Sequence, residues 1–210
     1  MVTWLLIGMN VWAFLNELLL GPELQTFVET WGFVPARYFA LSELYPENWV
    51  ARYVPIFTSM FLHGGWLHVL GNLWTLLIFG DNVEDRMGKG RFLAFYLLCG
   101  ILAGATHVYF NRHSTVPTIG ASGAIAGVMG AYFLLFPRAR VITLIPLLFY
   151  PLFVELPAFV FLGLWFVSQI LSSTLSIAEP GDAAGIAFQA HVGGFVGGCL
   201  LHRLFLRREP

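Results

Sequence analysis

Five side chains carry the chemistry this sequence offers: one serine, three histidines and one asparagine. Ser122 lies in TIGASGAIAGVMGA, residues 118–131, a run of small residues inside a hydrophobic stretch. Two other apolar segments carry polar groups, His63-Gly-Gly-Trp-Leu-His68-Val-Leu-Gly-Asn72 and Ala190-His191-Val-Gly-Gly194. A serine beside a histidine is the minimal activated nucleophile, because the imidazole takes the hydroxyl proton as the oxygen attacks a carbonyl. His68 and Asn72 are four residues apart and share one helix face, from which both can donate hydrogen bonds to an oxyanion. No acidic residue sits near Ser122 or His191 in sequence, so a dyad is expected rather than a triad.

Each feature also has a plainer explanation. Small residues at spacing four (Ser122, Ala126, Gly130; Gly123, Gly127, Ala131) let a neighbouring helix approach closely, and that alone accounts for a packing serine. His191 alone fits a hydrogen-bonded structural histidine. His63 and His68 resemble metal ligands, but the segment lacks the glutamate of a HExxH zinc site and no third ligand suggests itself, so neither a metal nor a cofactor is expected. The serine motif is not a G-x-S-x-G elbow, since residue 124 is Ala. His107, His113 and His202 read as structural or solvated. Glu17 is expected near the outer interface and Glu155 near the inner one, neither with a catalytic role. The functional reading gains from three polar segments sharing one apolar chain, where each needs a purpose.

The elements that must position these groups follow from composition. The chain has 210 residues, 58% hydrophobic and only 11% charged, with mean hydropathy +0.74. A soluble domain carries about a quarter charged residues. The deficit, with several apolar runs of about 20 residues, implies an all-α polytopic membrane protein, a single membrane domain over residues 1–210. Net charge is −1, with no long basic block, so no nucleic-acid partner is expected. Cys99 and Cys199 lie in apolar runs and read as small buried residues. The first apolar run lacks a basic leader and a small-residue cleavage site, so no cleavable signal is expected.

Six transmembrane helices are expected, at about 2–20, 54–79, 92–110, 117–136, 153–173 and 188–205. Residues 21–53 are too long for a turn and too aromatic for disorder, and read as short interfacial helices. The second span is expected to be irregular near His63-Gly-Gly. Residues 141–174 exceed one span and contain Pro146, Pro151 and Pro157; a short interfacial piece to about Tyr150 followed by the fifth span divides them most simply. Residues 175–187 read as a mobile loop.

Arg86, Lys89, Arg91, Arg138, Arg140, Arg203, Arg207 and Arg208 fall on one side of this arrangement, and only Arg37, Arg52 and Arg112 on the other. The rich side is expected to be cytoplasmic, with both termini inside. His63, His68 and Asn72, Ser122 and His191 then come out at similar depth, near the outer ends of spans two, four and six. Gly194 and Gly198 follow His191 on its own helix face, and let span six lie against the small-residue face of span four. That closeness is expected to bring His191 within reach of Ser122.

HGGWLHVLGN, then GASG, then AHVGG, in that order on spans two, four and six, resembles the rhomboid intramembrane serine proteases. The similarity extends to FGDNVEDRMG after span two and FPRARV after span four. By resemblance Ser122 is the nucleophile and His191 its base. His68, Asn72 and the backbone N–H of Ser122 form the oxyanion hole, with His63, Gly120, Gly123, Gly194 and Gly198 supporting. Glu84 and Arg86 match the family's Glu-x-Arg, a structural tie. The resemblance implies transmembrane protein substrates in a lipid bilayer, cut near the outer face. One departure is visible: many members carry a Trp-Arg pair shortly before the span-two histidines, where this chain reads Tyr53-Val54-Pro55, with Trp49 and Arg52 nearby but not adjacent.

Hydrolysis inside a bilayer requires water at Ser122, hence a wetted depression opening outward, lined by irregular backbone at His63-Gly64-Gly65. A substrate helix must enter sideways and unwind locally. Span five and the 175–187 loop are expected to move for this. With no organelle presequence visible, a bacterial plasma membrane is the expected location.

Overall fold

The computed structural model describes residues 1–147, 150–178 and 187–207. Among them are nine α-helices and one β-hairpin. The protein is a helical polytopic membrane protein. α1 (Val2–Leu19) is followed by three short helices, α2 (Leu24–Trp31), α3 (Pro35–Leu44) and α4 (Trp49–Thr58). Then come α5 (Trp66–Met87), α6 (Lys89–Phe110), α7 (Ser122–Leu135), α8 (Ala158–Ala178) and α9 (Phe188–Phe205). The six segments expected to span correspond to α1, α5, α6, α7, α8 and α9. Val2–Leu19, Lys89–Phe110 and Ala158–Ser176 are long and apolar enough to cross a bilayer, and Ser122–Leu135 is a shorter apolar helix.

Two expectations are corrected. The piece before the fifth span, expected to be short and to end at about Tyr150, is a β-hairpin that runs on to Pro157: β1 (Arg140–Leu147) pairs antiparallel with β2 (Tyr150–Pro157), from Arg140 opposite Pro157 to Leu147 opposite Tyr150. Val141, Ile142, Thr143, Ile145 and Val154 are β-branched and favour extended backbone. Pro146, Pro151 and Pro157 lack the N–H a helix needs. The exposed Arg140–Glu155 ion pair, 2.7 Å, ties the hairpin near its base. Helix α8 accordingly begins at Ala158, not near 153. The expected mobile loop at 175–187 is helical through Ala178, and the rest of it up to residue 186 lies outside the described residues.

Helix α7 occupies the centre. Every residue from Gly123 to Tyr132 is buried, which a helix this poor in large side chains achieves only by direct backbone contact with its neighbours. A Cβ added at Gly194 would fall on the carbonyl oxygen of Gly123, and one at Gly198 on the backbone of Gly127. On the opposite side of α9, a Cβ at Gly193 would strike Thr106 of α6. Helix α9 is thus wedged between α6 and α7. Below this seam Leu76, Val83, Phe92, Phe95 and Tyr96 fill the apolar core.

Helix α1 is fastened at its start by Glu84, whose carboxylate accepts from the N–H groups of Val2 and Thr3 and from the Thr3 hydroxyl, all at 2.8 Å. The first N–H groups of a helix have no partner within it, and here another helix supplies one. This is the tie assigned to Glu84 by resemblance. Arg86 contributes its backbone carbonyl, which accepts from the N–H of Arg207.

Candidate active site

Ser122 is the first residue of α7. Its N–H therefore has no carbonyl one turn back to bond, and is available to a ligand. The preceding loop is held in place by three backbone hydrogen bonds to two other segments. Thr118 exchanges backbone hydrogen bonds with Phe33 at 2.9 and 3.2 Å, and Gly120 N–H donates to the Ser59 carbonyl at 2.8 Å. Gly120 sits at φ +120°, and a Cβ there would lie 2.6 Å from His68 Nε2 and 3.7 Å from Asn72 Nδ2. Glycine is required on both counts: left-handed backbone and the close approach of two polar side chains.

The structure brings Ser122 and His191 together. His191 Nε2 lies 2.8 Å from Ser122 Oγ. The seam explains the distance, since Gly123 and Gly194 stand beside the two residues and their backbones touch. His191 Nδ1 lies 2.7 Å from Gln169 Oε1 on α8, and a carbonyl oxygen only accepts. The proton therefore sits on Nδ1, leaving the Nε2 lone pair to accept the serine hydroxyl. The imidazole is flanked by Trp165, at 5.9 Å between ring centroids, and by the edge of Phe188 at 6.5 Å.

On the other side of Ser122, the N–H of Gly64 donates to His68 Nδ1 at 3.3 Å. The second nitrogen of a neutral imidazole must then carry the proton, so His68 presents Nε2–H towards the Gly120–Ser122 turn. Asn72 Nδ2 is buried and has no hydrogen-bond partner among the described residues. Both side-chain nitrogens lie against Gly120, two residues before Ser122.

His63 does not reach Ser122 through any hydrogen bond found among the described residues. It is buried, with Nδ1 donating to the Phe61 carbonyl at 3.2 Å and its ring meeting that of His68 edge-on at 5.0 Å. Its backbone N–H donates to both Glu17 oxygens, at 3.2 and 3.1 Å. Glu17 is buried in the protein, 2% exposed, and anchors the stretch of chain that leads to His68. The sequence signal was a lone carboxylate in an apolar run. Gln169 and Trp165 were also missed; their signal was an amide and an indole four apart on one face of an apolar helix. No cluster of His, Cys, Asp or Glu among the described residues is arranged to hold a metal ion.

The rhomboid domain family model matches residues 50–208. The chain belongs to the rhomboid family. Over 77 residues it is 36% identical to the putative rhomboid protease YdcA of Bacillus subtilis, covering 37% of this chain and 38% of that protein. It is 40% identical over 76 residues to the rhomboid protease GluP of the same organism, covering 36% of this chain and 14% of GluP. It is also 33% identical over 113 residues to the inactive RHOMBOID-like protein 8 of Arabidopsis thaliana, covering 54% of this chain and 29% of that protein. The chain thus spans well under half the length of these relatives. The rhomboid family holds both proteases and inactive members, so catalysis must be argued from the side chains themselves.

Proposed function

We propose that the chain is an intramembrane serine endopeptidase that cleaves transmembrane segments of membrane proteins near the outer face. The reading rests on one observation above all: a serine hydroxyl 2.8 Å from an imidazole nitrogen whose other nitrogen is already committed as a donor.

The chemistry follows from those positions. Ser122 Oγ attacks the carbonyl carbon of a peptide bond while its proton passes to His191 Nε2. The carbonyl oxygen becomes an oxyanion, received by His68 Nε2–H, Asn72 Nδ2–H and the Ser122 N–H. The C–N bond breaks as His191 returns the proton to the leaving nitrogen. A water molecule then gives a proton to His191 Nε2 as its oxygen attacks the ester carbonyl carbon; the acyl C–O bond breaks, and His191 returns that proton to Ser122 Oγ. Loss of one oxyanion donor typically costs 10²–10³ in rate, so His68 and Asn72 rank close to the base in importance. Gly120 and Gly123 hold the serine turn, Gly194 and Gly198 hold the base against it, and His63 supports His68. No cofactor is required.

A substrate helix reaches Ser122 sideways, past α8, and its cut segment leaves helical geometry there. In the bacterial plasma membrane, with all six long helices spanning and the arginine-rich side cytoplasmic, both termini face inward and the site faces outward.

The test is cleavage of a generic transmembrane substrate in detergent. Ser122→Ala and His191→Ala should each abolish it, and His68→Ala and Asn72→Ala should slow it with little change in thermal stability. Unchanged cleavage in Ser122→Ala refutes the assignment. Binding of the substrate without cleavage by the unmodified chain would instead indicate a non-catalytic, helix-escorting relative.

A further inference from the structure

The third partner of the site comes from an unexpected helix. Trp165, Ser168 and Gln169 fall on one face of α8, at spacings of three and four, and Trp165 and Gln169 stand against His191. Their hydrogen bonds run in a single direction. The carbonyl of Trp165 only accepts, so the Ser168 hydroxyl donates to it at 2.6 Å. Ser168 Oγ then accepts from Gln169 Nε2 at 3.1 Å. With its amino group so committed, the Gln169 amide turns its oxygen to His191 Nδ1 at 2.7 Å. From there the polarity passes through the ring to Nε2 and the Ser122 hydroxyl. Reversing the amide would place the imidazole proton on Nε2 and leave nothing to accept the proton of the serine.

We infer that Gln169 is a positioning residue: it fixes the tautomer and ring orientation of His191 from α8, so the base is competent only while α8 is seated. The inference rests on the proposed proteolysis. Its physical logic is that of the third member of a triad, which holds the imidazole in its working tautomer. A carboxylate in this role would carry a charge at membrane depth, which is costly unless it is paired or hydrated. The amide supplies the same acceptor without the charge. The Trp165 ring, close beside the imidazole, adds attraction for the imidazolium formed during attack. Because Gln169 and Trp165 stand on α8 while Ser122 stands on α7, a displacement of α8 that admits substrate also loosens the base. Proton transfer then waits until α8 closes on the bound segment.

The titratable groups that face His191 are His68 from α5 and His107 from α6; Ser122 from α7 and Trp165 and Gln169 from α8 complete its surroundings. The experiment compares Gln169→Leu, Gln169→Glu and the unmodified chain in detergent, with Ser122→Ala as the inactive reference and thermal unfolding measured throughout. Gln169→Leu should lower kcat at least ~10-fold at an unfolding temperature close to the unmodified one, with KM changed less than kcat. This is less than the 10²–10⁴-fold that a general base typically contributes, because the base itself is kept and only its orientation is lost. Gln169→Glu should restore turnover above that of Gln169→Leu. It should also move the acid limb of the kcat–pH profile up by about one pH unit or more, since an adjacent carboxylate favours the imidazolium. The tautomer is read independently of activity: with ¹⁵N-labelled histidine, His191 should carry its proton on Nδ1 in Ser122→Ala and lose that preference when Gln169→Leu is added. A Gln169→Leu enzyme within twofold of the unmodified kcat, a Gln169→Glu profile superimposable on the original, or an unchanged tautomer in the absence of Gln169 would each overturn the inference. All three would leave the Ser122 assignment standing. Conversely, an unmodified chain that never cleaves but keeps the Nδ1 proton through Gln169 removes the proteolysis and retains the orienting contact.

Discussion

The two walls of the site are built on opposite principles. On one wall α9 lies between α6 and α7 with glycine backbones in contact: Gly194 against Gly123, Gly198 against Gly127, Gly193 against Thr106. On the other wall α8 touches the site through long side chains, Trp165, Phe166 and Gln169, and turns Leu164, Val167, Ile170, Leu171 and Leu175 outward. Trp165 and Phe166 pack against Phe195 of α9, with ring centroids 6.0 and 4.4 Å apart. Backbone contact has no rotamers to change, whereas a side-chain contact can loosen and re-form. Ser122 and His191 therefore share the rigid wall, and Gln169, which accepts from the His191 imidazole, sits on the adjustable one.

Substitutions at the seam offer the harshest test of that contrast. Gly198→Leu places its Cβ among the backbone atoms of Gly127, and backbone cannot step aside as a flexible side chain does. Overpacking usually costs about 1–3 kcal/mol; here the expected loss exceeds that range. Thermal unfolding should fall sharply and both cleavage and Ser122 labelling by a serine-hydrolase probe should vanish. A Gly198→Leu protein of ordinary stability would show that α7 and α9 are not in contact.

The adjustable wall is tested by immobilising it. Phe79 of α5 stacks on Phe161 of α8 with centroids 6.3 Å apart. Cysteines introduced by Phe79→Cys and Phe161→Cys, joined by a short thiol-reactive linker, should pin α8 to α5. Cleavage of a transmembrane substrate should drop at least ~10-fold on cross-linking, while the same protein before linking remains active and unfolding is not weakened by the link. Full activity after linking would show that substrate enters without displacing α8.

Much of this geometry was legible beforehand, for a definable reason. Glycines and small residues at spacing four state where a backbone can be approached, and Ser122, His191, His68 and Asn72 each mark polarity in a span that excludes it. The seam and the common depth of the three polar segments follow from those two facts. The hairpin at 140–157 was not legible as such, because an apolar run rich in Val, Ile and Leu fits a buried strand and an interfacial segment equally, and its prolines rule out only a continuous helix. Gln169 and Glu17 were not legible because their partners, His191 Nδ1 and the His63 N–H, lie 22 and 46 residues away. Spacing along a helix gives a side chain's face, but not which foreign atom waits there.

Glu17 permits a finer test on the rigid side. Glu17→Ala would leave the buried His63 N–H without its acceptor, a loss of about 1–3 kcal/mol. The His63–Gly65 segment that feeds Gly64 N–H to His68 should loosen with it. Turnover should fall less than in His68→Ala, because the oxyanion donor persists but is less firmly oriented. A drop in unfolding temperature without any change in kcat would confine Glu17 to folding.

The smallest effect belongs to the outer face of α8, and it is informative because it is small. Leu171 is 60% exposed, and it stands two residues beyond Gln169 on the side away from His191. Leu171→Ala removes apolar surface from lipid rather than from the protein interior, so stability should change by no more than about 0.5 kcal/mol. Its effect on cleavage separates two kinds of movement. If substrate slides past the lipid face of α8, trimming that face changes KM and leaves kcat alone. If α8 swings as a body and carries Gln169 with it, the same trimming leaves KM near its original value, because the swing is resisted by the Phe195 contacts on the inner face. Phe166→Ala, which weakens those contacts, should then ease entry and slow proton transfer together, lowering KM and kcat in the same variant. Opposite movements of the two constants would separate the gate from the base.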